Sequence, residues 1–252
     1  MLPETHRFVI QHALQLRRKN FKGYEKEMIR GCTTEDFPNL SLKAENFQLF
    51  GWDHFYSPKK GGYFSFFGNA KKKGVTLFKR AVKLYKQKKF KEAFYTLGRS
   101  AHYLHDIASP AHTKLLFHLA EDDFEKYVEQ NLHKFKFKLR SRLVRPMRPS
   151  TCFEMLAIRS HRVRYTKQNY VLGLFWDIFK KRKQSDPKKK LNRLSRKLIK
   201  YCIIYTIALL NAFNRRIVRH NLMQQMKLKE NLLSKERELV KKIKKKSKRL
   251  VS

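Results

Sequence analysis

The segment HYLHDIASPAH, residues 102–112, brings imidazole and carboxylate side chains close together in the sequence. His102 and Asp106 are four residues apart, so on a helix they lie on one face. Pro110 predicts a break in that helix, because the residue before a proline is pushed away from helical angles. His112 follows the break. Two imidazoles and a carboxylate in this arrangement could hold a metal ion such as zinc.

Further candidate ligands lie elsewhere in the first half of the chain. His6 stands in ETHRF, Asp36 in TEDFP and His54 in WDHFYSP. Another group falls at helical offsets and so lies on one side of a helix: His118, Glu121, Asp122 and Glu125. Each also has a structural interpretation, since a single histidine often packs in a core, EDFP could be a turn, and Glu121 with Glu125 could form a solvated face.

Helices are expected to position these side chains, because the long segments show helical periodicity and alternating strand patterns are scarce. The stretch 31–68 is rich in loop-forming residues. The apolar spacing predicts helices over about 69–87, about 90–108, from near 113, and over about 190–225. We therefore predict an all-α fold, a compact multi-helix domain followed by a basic helical tail.

The charge of the chain is extreme, since 59 Lys and Arg against 20 Asp and Glu give +39. Such a charge attracts polyanions, namely anionic lipid surfaces, nucleic acids or phosphate-bearing substrates. The 252 residues are 42% hydrophobic, which excludes a disordered polymer and suffices for one core. We predict a domain over residues 1–215 and a helical tail over 216–252, which could extend into solvent, lie on an anionic surface or dock on a partner.

The cysteines and the apolar segments bear on location. Cys32, Cys152 and Cys202 are widely spaced, which argues against a disulfide framework. The apolar run 201–213 is too short to span a bilayer and predicts a buried core helix. The first residues are polar where a secretory signal would begin its apolar run. We expect a cytoplasmic protein, peripherally associated with membrane, with secretion as the alternative.

The block LGRSAHYLHDIASPAH, preceded in order by THRF and HFYSP, resembles the motifs of the bacterial zinc-dependent phospholipase C family. That family includes the phosphatidylcholine-preferring enzymes and the clostridial alpha-toxins. The resemblance covers roughly residues 4–130, and the later helices fit the all-helical family fold in outline. It implies a cleft that holds two or three zinc ions and a hydrolase that acts on phospholipids.

The resemblance also implies ligands and roles. Three groups of zinc ligands follow from it: Asp36, His54, His102 and Asp106; His6 with the bridging Asp106; and His112 with Glu125. His118 and Glu121 compete as third ligand of the last group, because the family commonly has histidine where this chain has Glu121. Asp36 is the implied general base. His105 lies about 60° or more around the helix from the side of His102, so we expect that it is not a ligand.

The predicted chemistry is the cleavage of a phosphate ester. Clustered zinc ions lower the pKa of bound water from about 15.7 to near 7 and neutralise charge on the phosphoryl group. The aromatic segment after His54 could line a lipid or choline-binding mouth, since aromatic faces attract quaternary ammonium ions, or it could pack a loop onto the helices. The candidates for substrate contact are Tyr56, Phe64 and Phe66.

The favoured function is therefore a zinc-dependent phosphodiesterase of the phospholipase C type, with phospholipid or another phosphate diester as substrate and an anionic membrane as partner. One alternative is a nuclease or phosphomonoesterase on the same metal scaffold, for which a charge of +39 would suit nucleic acid. Another alternative is a non-catalytic, metal-poor protein that binds membranes or polyanions through the tail.

Overall fold

The computed structural model describes residues 2–17, 21–34, 54–61, 69–116, 123–139, 144–163 and 187–250. Within these ranges the regular structure is helical, with one isolated antiparallel bridge between Ser57 and Gly61. The helices are α1 (Pro3–Gln15), α2 (Glu25–Thr33), α3 (Ala70–Lys86), α4 (Phe90–Asp106), α5 (Pro110–Lys114), α6 (Asp123–Asn131), α7 (Pro149–His161) and α8 (Pro187–Leu250), with a 3-10 turn at Leu132–Lys134. The predicted all-α fold is confirmed.

The chain forms two compact units, Met1–Phe213 and Asn214–Ser252. The first contains helices α1 to α7 and the apolar part of α8. The second is helical to Leu250 and has large apolar side chains on its surface: Val218, Leu222, Met223, Met226, Leu228, Leu232 and Leu233. Over the part of the chain that the structure describes, every helix is too short or too polar to cross a lipid bilayer.

Local sequence explains the central pair of helices in the first unit. Asn69 caps α3, because its side chain accepts a hydrogen bond from the backbone N–H of Lys72 at 2.9 Å. The apolar positions of α3 recur at helical spacing and turn inward: Leu77, Phe78, Ala81, Val82 and Leu84. Helices α3 and α4 contact each other more than any other pair among the described elements, and both lie where the periodicity over 69–87 and 90–108 predicts helices.

The apolar run of α8 completes the core of the first unit. Residues such as Cys202, Ile203 and Leu209 are fully buried. The Phe213 ring meets aromatic rings of α3 and α4 edge to face, with centroids 6.1 Å from Phe78 and 5.7 Å from Phe94. The sequence prediction of a buried core helix over this run agrees with this burial.

Helices α2 and α4 cross with their backbones in contact because glycines stand at the crossing. A Cβ built on Gly98 of α4 would lie 2.2 Å from the Met28 carbonyl oxygen of α2. A Cβ on Gly31 would lie 2.0 Å from the Tyr95 carbonyl oxygen. No larger residue fits either position without moving the backbone. The crossing brings the end of α2, including Cys32, against the last turns of α4.

The predicted break near Pro110 separates α4 from α5. Helix α4 ends at Asp106, and Pro110 is the first residue of α5, a position at which its missing N–H costs no hydrogen bond. The Ser109 N–H donates to the Asp106 carbonyl oxygen at 2.9 Å, which closes the turn between the helices. As a result His112 lies one short helix beyond the carboxylate of Asp106.

Candidate metal centre

Asp106 is the centre of a buried cluster of three histidines. The His54 Nδ1 atom lies 2.6 Å from Asp106 Oδ2, and His102 Nε2 lies 3.2 Å from the same oxygen. The His6 Nε2 atom lies 3.3 Å from Asp106 Oδ1. The side chains of His6, His102 and Asp106 are fully buried, whereas that of His54 is 17% exposed. We call these four residues the Asp106 cluster.

The two helical members follow the predicted spacing. His102 and Asp106 lie four residues apart on α4, and both side chains point to the same face. The His6 ring stacks on the His102 ring with centroids 4.1 Å apart, so that α1 places its imidazole beside that of α4. The donor atoms of His6, His102 and Asp106 all lie within 4.8 Å of one another, close enough to hold metal.

A backbone carbonyl fixes the orientation of His102. The His102 Nδ1–H donates a hydrogen bond of 2.9 Å to the carbonyl oxygen of Cys32, at the end of α2. The Nε2 atom therefore faces the carboxylate of Asp106, where it shares a proton with the carboxylate or offers its lone pair to a bound metal ion. Metal-binding histidines almost always use their second nitrogen in this way. The close crossing of α2 and α4 is what brings that carbonyl within reach.

A second imidazole–carboxylate contact lies nearby. His112 Nε2 of α5 is 3.3 Å from Glu125 Oε1 of α6, and both side chains are buried. The His112 Nδ1–H donates to the backbone carbonyl of His54 at 3.2 Å, and the Phe55 ring stacks on the His112 ring. We call His112 and Glu125 the Glu125 pair. His54 links the two groups, since its side chain belongs to the Asp106 cluster and its carbonyl orients the Glu125 pair.

The electrostatics of the Asp106 cluster suit a cation. Burial alone would raise the pKa of the Asp106 carboxyl, but positive charge at His102, at the N-terminal amine and at His54 together outweighs burial and holds that pKa well below its ordinary value. The carboxyl is thus ionised inside the core. A buried charge of this kind needs a partner of opposite charge.

The donor atoms also fit zinc. Zinc binds imidazole nitrogen at about 2.0–2.1 Å and carboxylate oxygen at about 2.0–2.2 Å, so neighbouring ligand atoms stand a little over 3 Å apart. The nitrogen–oxygen distances of 3.2 Å at His102 and 3.3 Å at His112 match that spacing. In both contacts two acceptor atoms face each other, an arrangement that is stable when a metal ion or a proton lies between them.

The structure places some of the predicted site residues and leaves others outside the part that it describes. His6, His54, His102 and Asp106 come together, as do His112 and Glu125. Five predicted residues fall outside the described ranges, and their roles stay predictions: Asp36, Phe64, Phe66, His118 and Glu121.

Tyr56, the remaining predicted substrate contact, is buried in the segment before α3. Its hydroxyl donates to the Glu154 carboxylate of α7, and Lys71 of α3 bonds to both groups. The Lys71 ammonium also lies 5.1 Å from the centroid of the Tyr56 ring. Tyr56 thus fastens the segment that carries His54, and its contact with substrate stays a prediction.

Two residues at this centre were not singled out by the sequence. The Cys32 carbonyl orients His102, and no side-chain pattern could reveal that role because every residue has a carbonyl. Glu154 anchors Tyr56 from α7, about a hundred residues later in the sequence. Its only signal was an isolated acidic residue in a basic region.

An all-helical fold in which imidazoles surround a buried, ionised carboxylate defines a metal-binding protein, and the donor set is that of zinc. The family model for zinc dependent phospholipase C matches residues 5–190 of the chain. The chain belongs to this family, and the resemblance seen in its motifs is confirmed.

Relatives and solved structures agree with this assignment. Phospholipase C of Listeria monocytogenes is 31% identical over 124 residues, 46% of this chain and 40% of the relative. Phospholipase C of Bacillus cereus is 30% identical over 120 residues, 43% of this chain and 41% of the relative. The matched region therefore spans about two fifths of the length of these curated relatives.

The alpha-toxin of Clostridium absonum has a similar structure, with a TM-score of 0.62 at 13% identity over 84% of this chain and 64% of the toxin. The alpha-toxin of an avian strain of Clostridium perfringens also scores 0.62, at 14% identity over 83% and 62%. At this level of identity the likeness concerns the fold, and it confirms the all-helical architecture.

Proposed function

We propose that the chain is a zinc-dependent phosphodiesterase that hydrolyses phospholipids in the manner of phospholipase C. The observation that carries the proposal is the Asp106 cluster, in which a buried ionised carboxylate meets three imidazoles next to a second imidazole–carboxylate pair. Membership of the zinc-dependent family and the names of the curated relatives support it.

We assign two or three zinc ions to this centre. His54, His102 and Asp106 of the Asp106 cluster would hold one ion, with Asp36 as the predicted fourth ligand. His6 and the bridging Asp106 would hold another, and the Glu125 pair a further one. Bound zinc supplies a water of lowered pKa and neutralises charge on the phosphoryl oxygens.

The protein's own residues position these groups. The Cys32 carbonyl accepts a hydrogen bond from His102 and so turns the Nε2 atom of His102 toward Asp106. The His54 carbonyl accepts one from His112 and turns the Nε2 atom of His112 toward Glu125. Burial of the cluster excludes competing water and strengthens each electrostatic contact. Asp36 remains the proposed general base, and His118 and Glu121 remain the competing third ligands of the Glu125 pair.

The second unit, Asn214–Ser252, contains the predicted basic tail over 216–252. We propose that it holds the enzyme on an anionic membrane. Its helix exposes large apolar side chains such as Leu222, Met226 and Leu233 among lysines and arginines. Basic helices with exposed apolar residues bind anionic lipid surfaces through both features. A cytoplasmic, peripheral location, or secretion as the alternative, stays a prediction that cell fractionation tests.

The test is zinc analysis of the purified full chain combined with hydrolysis assays. We expect two or three zinc ions per chain and release of phosphorylated headgroup from phosphatidylcholine vesicles. The variants His102→Ala and Asp106→Asn should bind less zinc per chain, with the ion of the Glu125 pair retained, and should lose hydrolysis. His133→Ala, which removes an exposed histidine outside the centre, is the matched control and should keep both.

The substrate arms of the same experiment separate the competing functions. Cleavage of single-stranded nucleic acid or of a phosphate monoester, with intact vesicles left unhydrolysed, would replace the lipid proposal by the nuclease or phosphomonoesterase. A folded chain that takes up no zinc after reconstitution would contradict the enzyme proposal and leave a binding protein.

A further inference from the structure

A second group of donor atoms lies on the other side of the His6 ring, away from Asp106. The Nδ1 atom of His105 is 3.2 Å from Nδ1 of His6 and 3.5 Å from Sγ of Cys32. These residues come from α4, α1 and α2, and all of them are fully buried. Their donor atoms lie within 4.8 Å of one another. His105, which the helical wheel turns away from Asp106, thus meets a different set of donors.

The tautomer of His105 follows from its outer partner. The Thr206 hydroxyl of α8 donates to the Cys202 carbonyl at 2.8 Å, so the Thr206 oxygen accepts from the His105 Nε2–H at 3.1 Å. Nδ1 of His105 therefore carries a lone pair that points toward His6 and Cys32. A histidine that donates one ring nitrogen and directs the other toward neighbouring donors has the arrangement of a metal ligand.

We propose that His6, Cys32 and His105 form a further metal site made of two imidazoles and one thiolate. Zinc ligated by nitrogen at about 2.0–2.1 Å and by thiolate at about 2.3 Å separates its ligand atoms by slightly more than 3 Å. The distances of 3.2 Å and 3.5 Å match this spacing. The ligand class is a thiophilic divalent ion, zinc first, because the thiolate makes this site softer than the Asp106 cluster.

His6 belongs to both groups and offers a different nitrogen to each. Its Nε2 faces Asp106 and its Nδ1 faces His105. Loading the new site alone releases the thiol proton of Cys32 to solvent, while the His6 proton moves from Nδ1 to Nε2, from which it is donated to Asp106; loading the Asp106 cluster as well releases that proton too. When both sites are loaded, the His6 ring is an imidazolate that joins two ions. The inference concerns metal binding and stands whether or not the chain hydrolyses lipid.

Cobalt substitution in the full chain tests the proposal. Metal-free protein titrated with Co²⁺ should develop a thiolate-to-cobalt charge-transfer band in the near ultraviolet, which carboxylate and imidazole ligands do not give. Cys32→Ser should abolish this band. Cys152→Ser should leave it unchanged, and this variant is a matched control because Cys152 is also a buried free thiol.

Zinc-edge X-ray absorption of the wild-type chain provides a measurement that needs no variant. We expect a zinc–sulfur distance of about 2.3 Å in the zinc-loaded protein. A folded, metal-loaded chain without zinc–sulfur scattering, or a cobalt band that persists in Cys32→Ser, would overturn the proposal and leave a hydrogen-bonded network around His105. Sulfur ligation without vesicle hydrolysis would uphold this site and contradict only the phospholipase proposal.

Discussion

The Asp106 cluster and the Glu125 pair differ in how the chain builds them. The cluster draws its ligands from α1, the segment before α3 and one face of α4, and the crossing of α2 with α4 locks it. The Glu125 pair joins the five-residue helix α5 to α6 through one contact of 3.3 Å. Preorganised ligands lose less conformational freedom when they bind an ion. We therefore expect the cluster to bind zinc more tightly than the pair.

Asp106→Asn should produce the largest effect, because it removes the charge that three imidazoles share. We expect hydrolysis to fall by at least about 100-fold, since even outer partners of a metal ligand contribute about 10–100-fold. Zinc at the Glu125 pair should remain, so zinc per chain falls without reaching zero. Elemental analysis and vesicle hydrolysis measure both. Glu4→Gln, an exposed carboxylate on α1, is the control, and unchanged zinc content in Asp106→Asn would contradict the cluster as a metal site.

Glu125→Gln tests the Glu125 pair, which we expect to bind zinc more weakly than the Asp106 cluster. Loss of this carboxylate should release one zinc ion per chain and lower hydrolysis by about 10–100-fold, while the Asp106 cluster stays loaded. Stepwise extraction with increasing chelator should show the same order in the wild type, with the ion of the pair leaving first. Release of all zinc together from Glu125→Gln would mean that the two groups bind metal as a single unit.

Gly98→Ala disturbs the crossing of α2 and α4 that supports the Asp106 cluster, and it leaves the ligands themselves unchanged. A methyl group at this position meets the Met28 carbonyl oxygen, so α2 must move away from α4 and take the Cys32 carbonyl with it. Overpacking of this kind costs about 1–3 kcal/mol of the free energy of unfolding. Denaturant unfolding and zinc titration should show a less stable chain whose cluster binds zinc more weakly. Lys91→Ala, an exposed position on α4, is the control, and a variant as stable as wild type would show that the crossing tolerates a side chain.

The parts of the fold and of the Asp106 cluster that the sequence could predict are those with a local pattern or a family motif. The spacing of His102 and Asp106 on one helix was a local signal, and the structure brings these two side chains together as that spacing predicts. The helices α3 and α4 likewise followed from their apolar periodicity. The resemblance to a family added His6 and His54, which are far from Asp106 in the sequence and which spacing alone could not connect to it.

Other features depend on tertiary structure and left no local pattern. The Cys32 carbonyl holds His102 only because two glycines let α2 and α4 touch. The helical wheel correctly turned His105 away from Asp106, but it could not show that this turn directs the imidazole to Cys32. A single helix contains no information about the neighbours on its other faces.

We expect the smallest effect on stability from a change at Glu154 of α7, whose carboxylate bonds to Tyr56 in the segment that carries His54. Burial raises the pKa of Glu154, but hydrogen bonds from Lys71 and Tyr56 outweigh burial and lower it. Because the pKa of Glu154 is lowered in the folded chain, this residue stabilises the fold above the ordinary glutamate pKa of about 4.3, and that stability is lost as the pH falls from there through the lowered pKa. Glu154→Gln should cost about 0.5–1 kcal/mol at neutral pH, because the pair is partly exposed, and nothing in acid. Unfolding of both proteins from pH 3 to 7 measures the difference, and a gap that persists or widens in acid would show that the carboxylate charge is not what fastens Tyr56.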